Sequence, residues 1–279
     1  MPHLLQPETL KEALGLLATQ EGVRLLAGGT DLLVLMKQGV ITCDGVIDIK
    51  HIDETRVFDI QDGQLRIGAA VTLAEIIDSA LIPSSQRILQ QAAGNLANTL
   101  VRNRATLVGN LCNASPGADM AGACLVLGAT LVAASAKGER RIALSEFFTG
   151  VKKHALEPGE MALRVEFPLI SGRGIYLKKR RIHGHDLAQV NVSGYYTDDH
   201  ELRLALGAVA TTPLLLDGFG RIPPEELLVR KDEIVEAAGK LARPISDVRA
   251  TKEYRTAMVR YFTWRIVEAF ASGKEAFDG

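Results

Sequence analysis

A chain of 279 residues with a formal net charge of −1 has no overall attraction to nucleic acid or to an anionic membrane surface. Its 47% hydrophobic and 23% charged residues are typical of a globular protein and exclude the disordered and fibrous classes. We find no apolar run of about 18 residues, as a membrane span requires, and no pattern of a secretory signal. Three scattered cysteines, Cys43, Cys112 and Cys124, favour a reduced, cytoplasmic setting.

The first 55 residues mix helix and strand signals. Thr9 and Glu12 have the spacing of a capping box, which predicts a helix with Leu10, Leu14 and Leu17 on one face. The sequence then predicts a strand in "VRLLAG" (23–28), a helix in "LLVLMKQ" (32–38) and a strand in "GVIDIK" (45–50).

From about residue 56 the pattern changes. "QLRIGAAV" (64–71) predicts a strand, a second capping box at Thr72 and Glu75 predicts a helix, and residues 84–100 are also helical in pattern. Later segments with strand character are "MALRVEFPL" (161–169) and "ELRLALGAVATT" (201–212).

The C-terminal part is predicted to be helical. Tyr254, Met258, Phe262 and Ile266 recur every four residues and predict one buried helix face. Because helices and strands do not alternate regularly, the predicted class is α+β. We place a domain boundary near 168–174, which gives a domain of residues 1–170, with subdomains of about 1–55 and 56–170, and a smaller domain of residues 171–279.

Gly28-Gly29-Thr30-Asp31 joins the first predicted strand to the helix that follows it. Glycines at such a join form a tight turn, or they expose main chain to an anionic ligand such as a pyrophosphate. The pattern matches neither the dinucleotide fingerprint nor the lysine-containing nucleotide loop.

A second candidate site is "RNRATLVGNLCNASPGAD" (102–119), which concentrates small polar side chains beside a glycine. Such side chains suit phosphate and sugar oxygens, and a long surface loop is the alternative. Together, the two glycine-containing stretches favour a long ligand with two ends, such as a dinucleotide. Ser115 lies in "NASPG", which does not match the nucleophile elbow of a hydrolase.

The basic stretch of Lys178, Lys179, Arg180 and Arg181 lies just before His183 and His185. It is too short for a nucleic-acid patch, and the two histidines lack a third ligand at clear spacing for zinc. A solvated loop and a cation near a redox ring are the alternatives that remain. Three scattered cysteines cannot hold an iron–sulfur cluster, so any cluster must belong to a partner.

"LLAGGTDLL" followed by "RNRATLVGNLCNASPGAD" resembles the FAD-binding (medium) subunit of the molybdenum hydroxylases. This family includes medium subunits of bacterial xanthine dehydrogenase and aerobic carbon monoxide dehydrogenase. The similarity extends along nearly the whole chain, through "QLRIGAAVTLAEI", "YLKKRRIHGHDLAQVNV" and "RPISDVRATKEYR".

The resemblance implies FAD extended between two α/β subdomains, followed by a smaller C-terminal α/β domain. It also implies the residues that contact FAD. By this resemblance Leu96 stands where some relatives place an aromatic residue, and Ala162 where a larger aliphatic residue is common. The implied cofactor-binding residues are Arg24, Leu25, Leu26, Ala27, Gly28, Gly29, Thr30, Asp31, Leu96, Thr106, Leu107, Val108, Gly109, Asn110, Asp119, Ala162 and Lys178.

The resemblance further implies a molybdenum-cofactor large subunit, a small subunit with two-iron clusters, and electron transfer through FAD to NAD or another acceptor. A xanthine dehydrogenase-like enzyme is preferred, and carbon monoxide dehydrogenase-like or aldehyde and aromatic hydroxylase enzymes are alternatives. Two other hypotheses for the function remain. One is a non-redox nucleotide-binding module, and the other is a flavoenzyme that works without partners.

Overall fold

The computed structural model describes residues 2–182 and 186–273. The N-terminal part is a small parallel sheet with strand order β1-β3-β2, flanked by two helices. The predicted strands and helices of this part are confirmed, with shorter bounds. The elements are β1 (His3–Leu5), α1 (Leu10–Thr19), β2 (Val23–Leu26), α2 (Leu32–Lys37) and β3 (Gly45–Asp48).

The middle part is an antiparallel sheet with strand order β4-β5-β10-β6-β7 and a set of short helices. Two 3₁₀ turns, Asp53–Thr55 and Ser84–Gln86, occur among the described residues. The elements are β4 (Phe58–Gln61), β5 (Gln64–Gly68), α3 (Leu73–Asp78), α4 (Ile88–Asn95), α5 (Thr99–Arg102), α6 (Leu107–Cys112), α7 (Asp119–Val126), β6 (Thr130–Ser135), β7 (Gly138–Ala143), α8 (Leu144–Phe147), β8 (Phe148–Gly150), β9 (Lys153–His154) and β10 (Met161–Pro168).

The C-terminal part is an antiparallel sheet, with strand order β11-β12-β13-β14, and three helices within the described residues. Separate parallel and antiparallel sheets confirm the α+β class, while the boundary near 168–174 stays a prediction. The elements are β11 (Gly172–Lys179), β12 (Val190–Thr197), β13 (Leu202–Gly207), β14 (Leu214–Leu216), α9 (Pro224–Val229), α10 (Lys231–Leu241) and α11 (Lys252–Ser272).

The C-terminal sheet is covered on both faces. Because side chains alternate along a strand, Ile175 and Leu177 of β11 pack in the cluster with α9, α10 and α11, whereas Tyr176 packs in the core of the middle part. Helix α7 lies against β12 and β13 on this second face, and each of its eight residues is buried. A Cβ on Gly122 would lie 2.6 Å from Ser193 Oγ, so the glycine allows α7 to approach the sheet closely.

The two predicted capping boxes differ in the structure. At Thr72 both reciprocal hydrogen bonds form, because the Thr72 side chain accepts from Glu75 N and the Glu75 carboxylate accepts from Thr72 N. At Thr9 only the threonine half is present. The Glu12 carboxylate accepts instead from Glu8 N at 2.9 Å, one residue earlier. The prediction of a full box at Thr9 was therefore wrong.

Two other sequence expectations need correction. Tyr254 does not belong to the buried face of α11, since it is 39% exposed and Arg255 is buried beside it. The solvated-loop interpretation of the basic stretch is wrong for Lys178 and Lys179, which end strand β11 and pair with β12. Apolar Ile175 and Leu177 alternate with Tyr176 and Lys178, which is a strand pattern, but the run of charges after it obscures the pattern.

Candidate functional site

The two glycine-containing stretches are in direct contact. A Cβ on Gly28 would lie 2.1 Å from the carbonyl oxygen of Arg104, so only glycine allows this approach of two backbones. Gly29 has a different role, because its φ of +73° is the left-handed conformation of a tight turn. A tight turn therefore explains why residue 29 is glycine, and contact with the second stretch explains why residue 28 is glycine.

A chain of side chains strengthens this contact. Asn113 Nδ2 donates to Asp31 Oδ1 at 3.1 Å, and Lys152 Nζ donates to Asn113 Oδ1 at 2.6 Å. Lys152 also holds a left-handed φ of +58°, and its amide donates to the carbonyl of Ala114. Asp31 was predicted from the sequence, whereas Lys152 was missed because the hairpin that carries it is distant in sequence.

The second stretch contains helix α6, and buried residues lie before and after that helix, so the long-surface-loop alternative is wrong. Thr106 is the N-cap of α6 and its side chain accepts from Gly109 N at 3.0 Å. Leu107 and Val108 are core residues with 0% and 2% exposure, whereas Gly109 is exposed. Within residues 106–110, Gly109 is therefore the exposed residue, and Asn110 is half-buried.

Asn110 connects α6 to the beginning of α7. Its Oδ1 accepts from Met120 N at 3.2 Å, next to Asp119. Ala162 lies in β10, against which α6 packs, and it is 5% exposed. These contacts place the second stretch, the beginning of α7 and β10 in one region.

Asp119, Tyr176 and Lys178 form a buried polar cluster. Tyr176 Oη donates to Asp119 Oδ1 at 2.7 Å, and Lys178 Nζ donates to Asp119 Oδ2 at 2.9 Å. The Lys178 side chain is only 1% exposed. Burial raises the pKa of Asp119, while the charge of Lys178 and the hydrogen bonds from Lys178 and Tyr176 oppose that rise. Burial and the adjacent carboxylate also raise the pKa of Tyr176 well above its ordinary value, so its hydroxyl stays a donor.

Tyr176 was missed by the sequence analysis. It lies two residues before Lys178 on the same face of β11, so alternation along a strand would have identified it. A loop has no such alternation, so the loop interpretation of the basic stretch leaves Tyr176 out.

Leu96 is held at the edge of the same cluster. Lys178 Nζ donates to the carbonyl of Asn95 at 3.1 Å, directly before Leu96. Arg102 Nη1 donates to the carbonyls of Leu96 at 3.0 Å and Ala97 at 3.3 Å. Ala97 has a left-handed φ of +45°, and Leu96 itself is 8% exposed. Arg102 begins the second stretch, but it is not among the residues implied to bind the cofactor.

The remaining predicted residues lead into the first turn along β2. Arg24 is exposed, Leu25 and Ala27 are half-buried, and Leu26 is buried in the core. The predicted residues therefore follow one connected path of contacts, from β2 through Gly28, α6 and Asp119 to Lys178 and Leu96.

Metal and thiol chemistry receive no support from the described part of the chain. His183 and His185 lie outside the described residues, and within residues 2–182 and 186–273 no group of three or more His, Cys, Asp or Glu is arranged to hold a metal ion. Burial raises the pKa of Cys112 to about 12, so this thiol is protonated at neutral pH. No helix in these ranges has the length and apolar character to cross a bilayer.

The residues present fit a dinucleotide. Gly28, Gly29 and Thr30 are half-exposed and Gly109 is exposed, so bare main chain is accessible where the two stretches meet. Asn191, opposite Lys178 in the strand register, is fully buried, and no described residue bonds its amide oxygen or nitrogen. A buried polar group of this kind usually has a partner in a ligand or a water molecule.

Comparison with known proteins identifies the family. Residues 2–170 match the model described as "FAD binding domain in molybdopterin dehydrogenase". The chain belongs to this family. It is an FAD-binding medium subunit of the molybdenum hydroxylase family, an oxidoreductase subunit whose cofactor is FAD. The resemblance stated from the sequence, and the cofactor it implied, are confirmed.

Relatives match along nearly the full chain. The chain is 30% identical to the xanthine dehydrogenase FAD-binding subunit of Escherichia coli O157:H7, covering 95% of this chain and 96% of the relative. It is 29% identical to the carbon monoxide dehydrogenase medium chain of Afipia carboxidovorans, covering 94% of each.

Solved structures agree with this assignment. Carbon monoxide dehydrogenase from Oligotropha carboxidovorans superposes with a TM-score of 0.89 at 26% identity, over 98% of both chains. Quinoline 2-oxidoreductase from Pseudomonas putida 86 superposes with a TM-score of 0.87 at 27% identity, again over 98% of both chains.

Proposed function

We propose that the chain passes electrons from iron–sulfur clusters, by way of FAD, to NAD⁺ in a xanthine dehydrogenase-like hydroxylase. The observation that carries the proposal is the connected path from Gly28 to Lys178, which joins two glycine-containing stretches and a buried charged cluster. The similarity to a xanthine dehydrogenase FAD-binding subunit over 95% of the chain supports the substrate class.

Within this proposal the chain itself binds and orients the cofactor. The backbone of residues 24–31, with Gly28 at its centre, holds the pyrophosphate, and residues 106–110 make the second phosphate and ribose contact. Asp119 and Ala162 would contact the FAD, and Leu96 and Lys178 would lie near the flavin ring. The chemistry that FAD supplies when bound is uptake of single electrons and release of electron pairs.

The proposed partners are a molybdenum-cofactor large subunit and a small subunit with two-iron clusters. Two relatives are named as medium chains of carbon monoxide dehydrogenase, which supports an assembly of this kind. Scattered cysteines in this chain leave the clusters to another subunit. A cytoplasmic location belongs to the same proposal.

The deciding experiment is purification of the tagged chain from its native cells, followed by metal analysis and a substrate panel. We expect molybdenum and iron to copurify, released FAD to be identified by chromatography, and xanthine to reduce NAD⁺. A preparation that contains FAD but neither metal would overturn the proposed assembly. Xanthine oxidation with a dye but not with NAD⁺ would overturn only the proposed acceptor.

A carbon monoxide dehydrogenase-like function is the second candidate. It is favoured by the TM-score of 0.89 to a carbon monoxide dehydrogenase chain and by 29% identity to a carbon monoxide dehydrogenase medium chain. The same substrate panel distinguishes the two, since oxidation of carbon monoxide without oxidation of xanthine would select this candidate.

The role of Lys178 is tested by Lys178→Gln. Removing the ammonium leaves the buried Asp119 carboxylate without its cation, a change that costs about 3–5 kcal/mol of stability in buried pairs. We expect weaker FAD binding and a lower flavin reduction potential, measured by titration and by equilibration with redox dyes. Lys179→Gln is the matched control, because Lys179 is the next residue of β11 and is exposed. Equal potentials in the two variants would contradict a role for Lys178 near the flavin.

A further inference from the structure

A buried arginine joins the C-terminal helix to the strands that lead into the cofactor region. Arg255, in the first turns of α11, is 4% exposed. Its Nη1 donates to the carbonyl of Gln189 at 2.6 Å and to the carbonyl of Ala208 at 3.0 Å. Its Nη2 donates to Asp247 Oδ1 at 2.8 Å. One guanidinium therefore holds the residue before β12 and the residue after β13.

Asp247 fixes the segment that precedes α11. Its Oδ1 also accepts from the amides of Arg249 at 2.8 Å and Ala250 at 3.1 Å. The Gln189 side chain donates to the carbonyl of Arg249. Gln189 therefore accepts a hydrogen bond from Arg255 and donates one to the segment before α11. Burial tends to raise the pKa of Asp247, but these amides and Arg255 lower it, and the carboxylate stays charged at neutral pH.

The two residues whose carbonyls Arg255 bonds, Gln189 and Ala208, are each hydrogen-bonded to a segment of the proposed FAD site. The amide of Gln189 donates to the carbonyl of Lys179 at 2.8 Å, next to Lys178. The amide of Ala208 donates to the carbonyl of Pro116 at 2.7 Å, in the segment between α6 and Asp119. Ala208 holds a left-handed φ of +62°, a conformation that persists only when its surroundings enforce it.

We propose that the Asp247–Arg255 pair is a positioning element of the FAD site. Through Gln189 and Ala208, the pair fixes the segments that carry Lys178 and Asp119. The inference rests on the proposed placement of FAD beside these two residues. It gives a physical reason for the "RPISDVRATKEYR" pattern, in which Asp247 and Arg255 are eight residues apart and meet as an ion pair. Neither residue touches the cofactor in this arrangement.

The test compares full-length variants by FAD titration and by the fluorescence and visible circular dichroism of the bound flavin. For Arg255→Gln we expect the FAD dissociation constant to rise on the order of tenfold, as when the outer partners of a ligand site are removed. Asp247→Asn, which keeps the side-chain shape, is expected to shift the dissociation constant and the spectrum in the same direction.

Arg173→Gln is the matched control. Arg173 ties β11 to the other end of α11, where its Nη2 donates to the carbonyls of Ala269 at 2.7 Å and Phe270 at 3.1 Å. Its replacement should lower thermal stability but leave the FAD dissociation constant within about twofold, because distant sites act independently.

Each outcome decides the inference. A dissociation constant and flavin spectrum for Arg255→Gln equal to those of Arg173→Gln would overturn it. If Arg255→Gln does not fold, Asp247→Asn decides, and wild-type values for that variant overturn the inference. These measurements need no partner subunit. The proposed electron-transfer function is tested separately, by purification of the native complex.

Discussion

At the scale of single residues, the adjacent glycines at positions 28 and 29 serve different purposes. Gly29 supplies a left-handed φ of +73°, which a turn signal in the sequence predicts. Gly28 is required because the carbonyl of Arg104 occupies the space of a Cβ. Local sequence reveals the first requirement but not the second, since the second depends on a residue 76 positions away in the sequence.

We expect Gly28→Ala to separate the two glycine-containing stretches and to destabilise the protein by about 1–3 kcal/mol, as overpacking does. Because the backbone around Gly28 is the proposed pyrophosphate site and residues 106–110 the proposed second phosphate contact, FAD affinity should fall as well. Urea denaturation and FAD titration measure the two effects.

Gly15→Ala is the control for this substitution. Gly15 lies inside α1 with no atom within 4 Å of an added Cβ, so alanine should stabilise the helix by about 0.5–1 kcal/mol and leave FAD binding unchanged. If Gly28→Ala behaved like Gly15→Ala, close contact at residue 28 would not be the reason for the glycine.

At the scale of single elements, the two predicted capping boxes show how far local pattern determines local structure. The same Thr-x-x-Glu spacing forms a reciprocal box at Thr72 but not at Thr9, where Glu12 bonds Glu8 N. At α3 the glutamate is further held by Arg56, whose Nη2 lies 2.6 Å from Glu75 Oε1. A partner from outside the helix therefore distinguishes the two boxes.

We expect Thr72→Ala to cost about 1 kcal/mol and Thr9→Ala to cost closer to about 0.5 kcal/mol, the low end for a lost N-cap. The difference arises because only Thr72 belongs to a complete box. Urea denaturation of the two variants under identical conditions measures it, and equal losses would show that the reciprocal bond at Thr72 adds nothing.

Much of the secondary structure was predictable because it depends on local signals. The strands at 23–26, 45–48 and 161–168 follow from apolar runs. The family pattern predicted Asp119 and Lys178 as cofactor-binding residues, and the structure brings these two into contact. What local signals do not contain is which side chains meet across the chain. Tyr254 was assigned to a buried face for this reason, because four-residue spacing cannot reveal that Arg255 bonds the carbonyls of Gln189 and Ala208, just outside two strands.

At the scale of the whole molecule, helix α7 is enclosed between the middle part and the C-terminal sheet. Tyr176, Tyr195 and Ala205 of that sheet belong to the hydrophobic core of the middle part. The proposed division at residue 170 thus separates strands whose side chains share one core, and Lys178, on the far side of that division, pairs with Asp119 on the near side.

We expect a fragment of residues 1–170 to lose cooperative thermal unfolding and FAD binding. Removal of the C-terminal sheet exposes one side of α7 and leaves Asp119 without both of its side-chain donors. Circular dichroism melting, binding of a hydrophobic dye and FAD titration, each against the full chain, measure these losses. A fragment with a sharp transition and the affinity of the full chain would show that the first domain is independent.

Four non-glycine residues with left-handed backbone border this region, namely Ala97, Ala114, Lys152 and Ala208. Such conformations cost on the order of 1 kcal/mol or more for residues with a side chain, and glycine removes that cost. Substitution by glycine at these positions is therefore expected to raise the thermal stability of the chain during adaptation to high temperature. Glycine would also make the backbone more flexible where it carries the contacts of Leu96, Asn113 and Pro116. Heat resistance therefore favours glycine at these four positions, whereas tight binding of the flavin favours the residues now present.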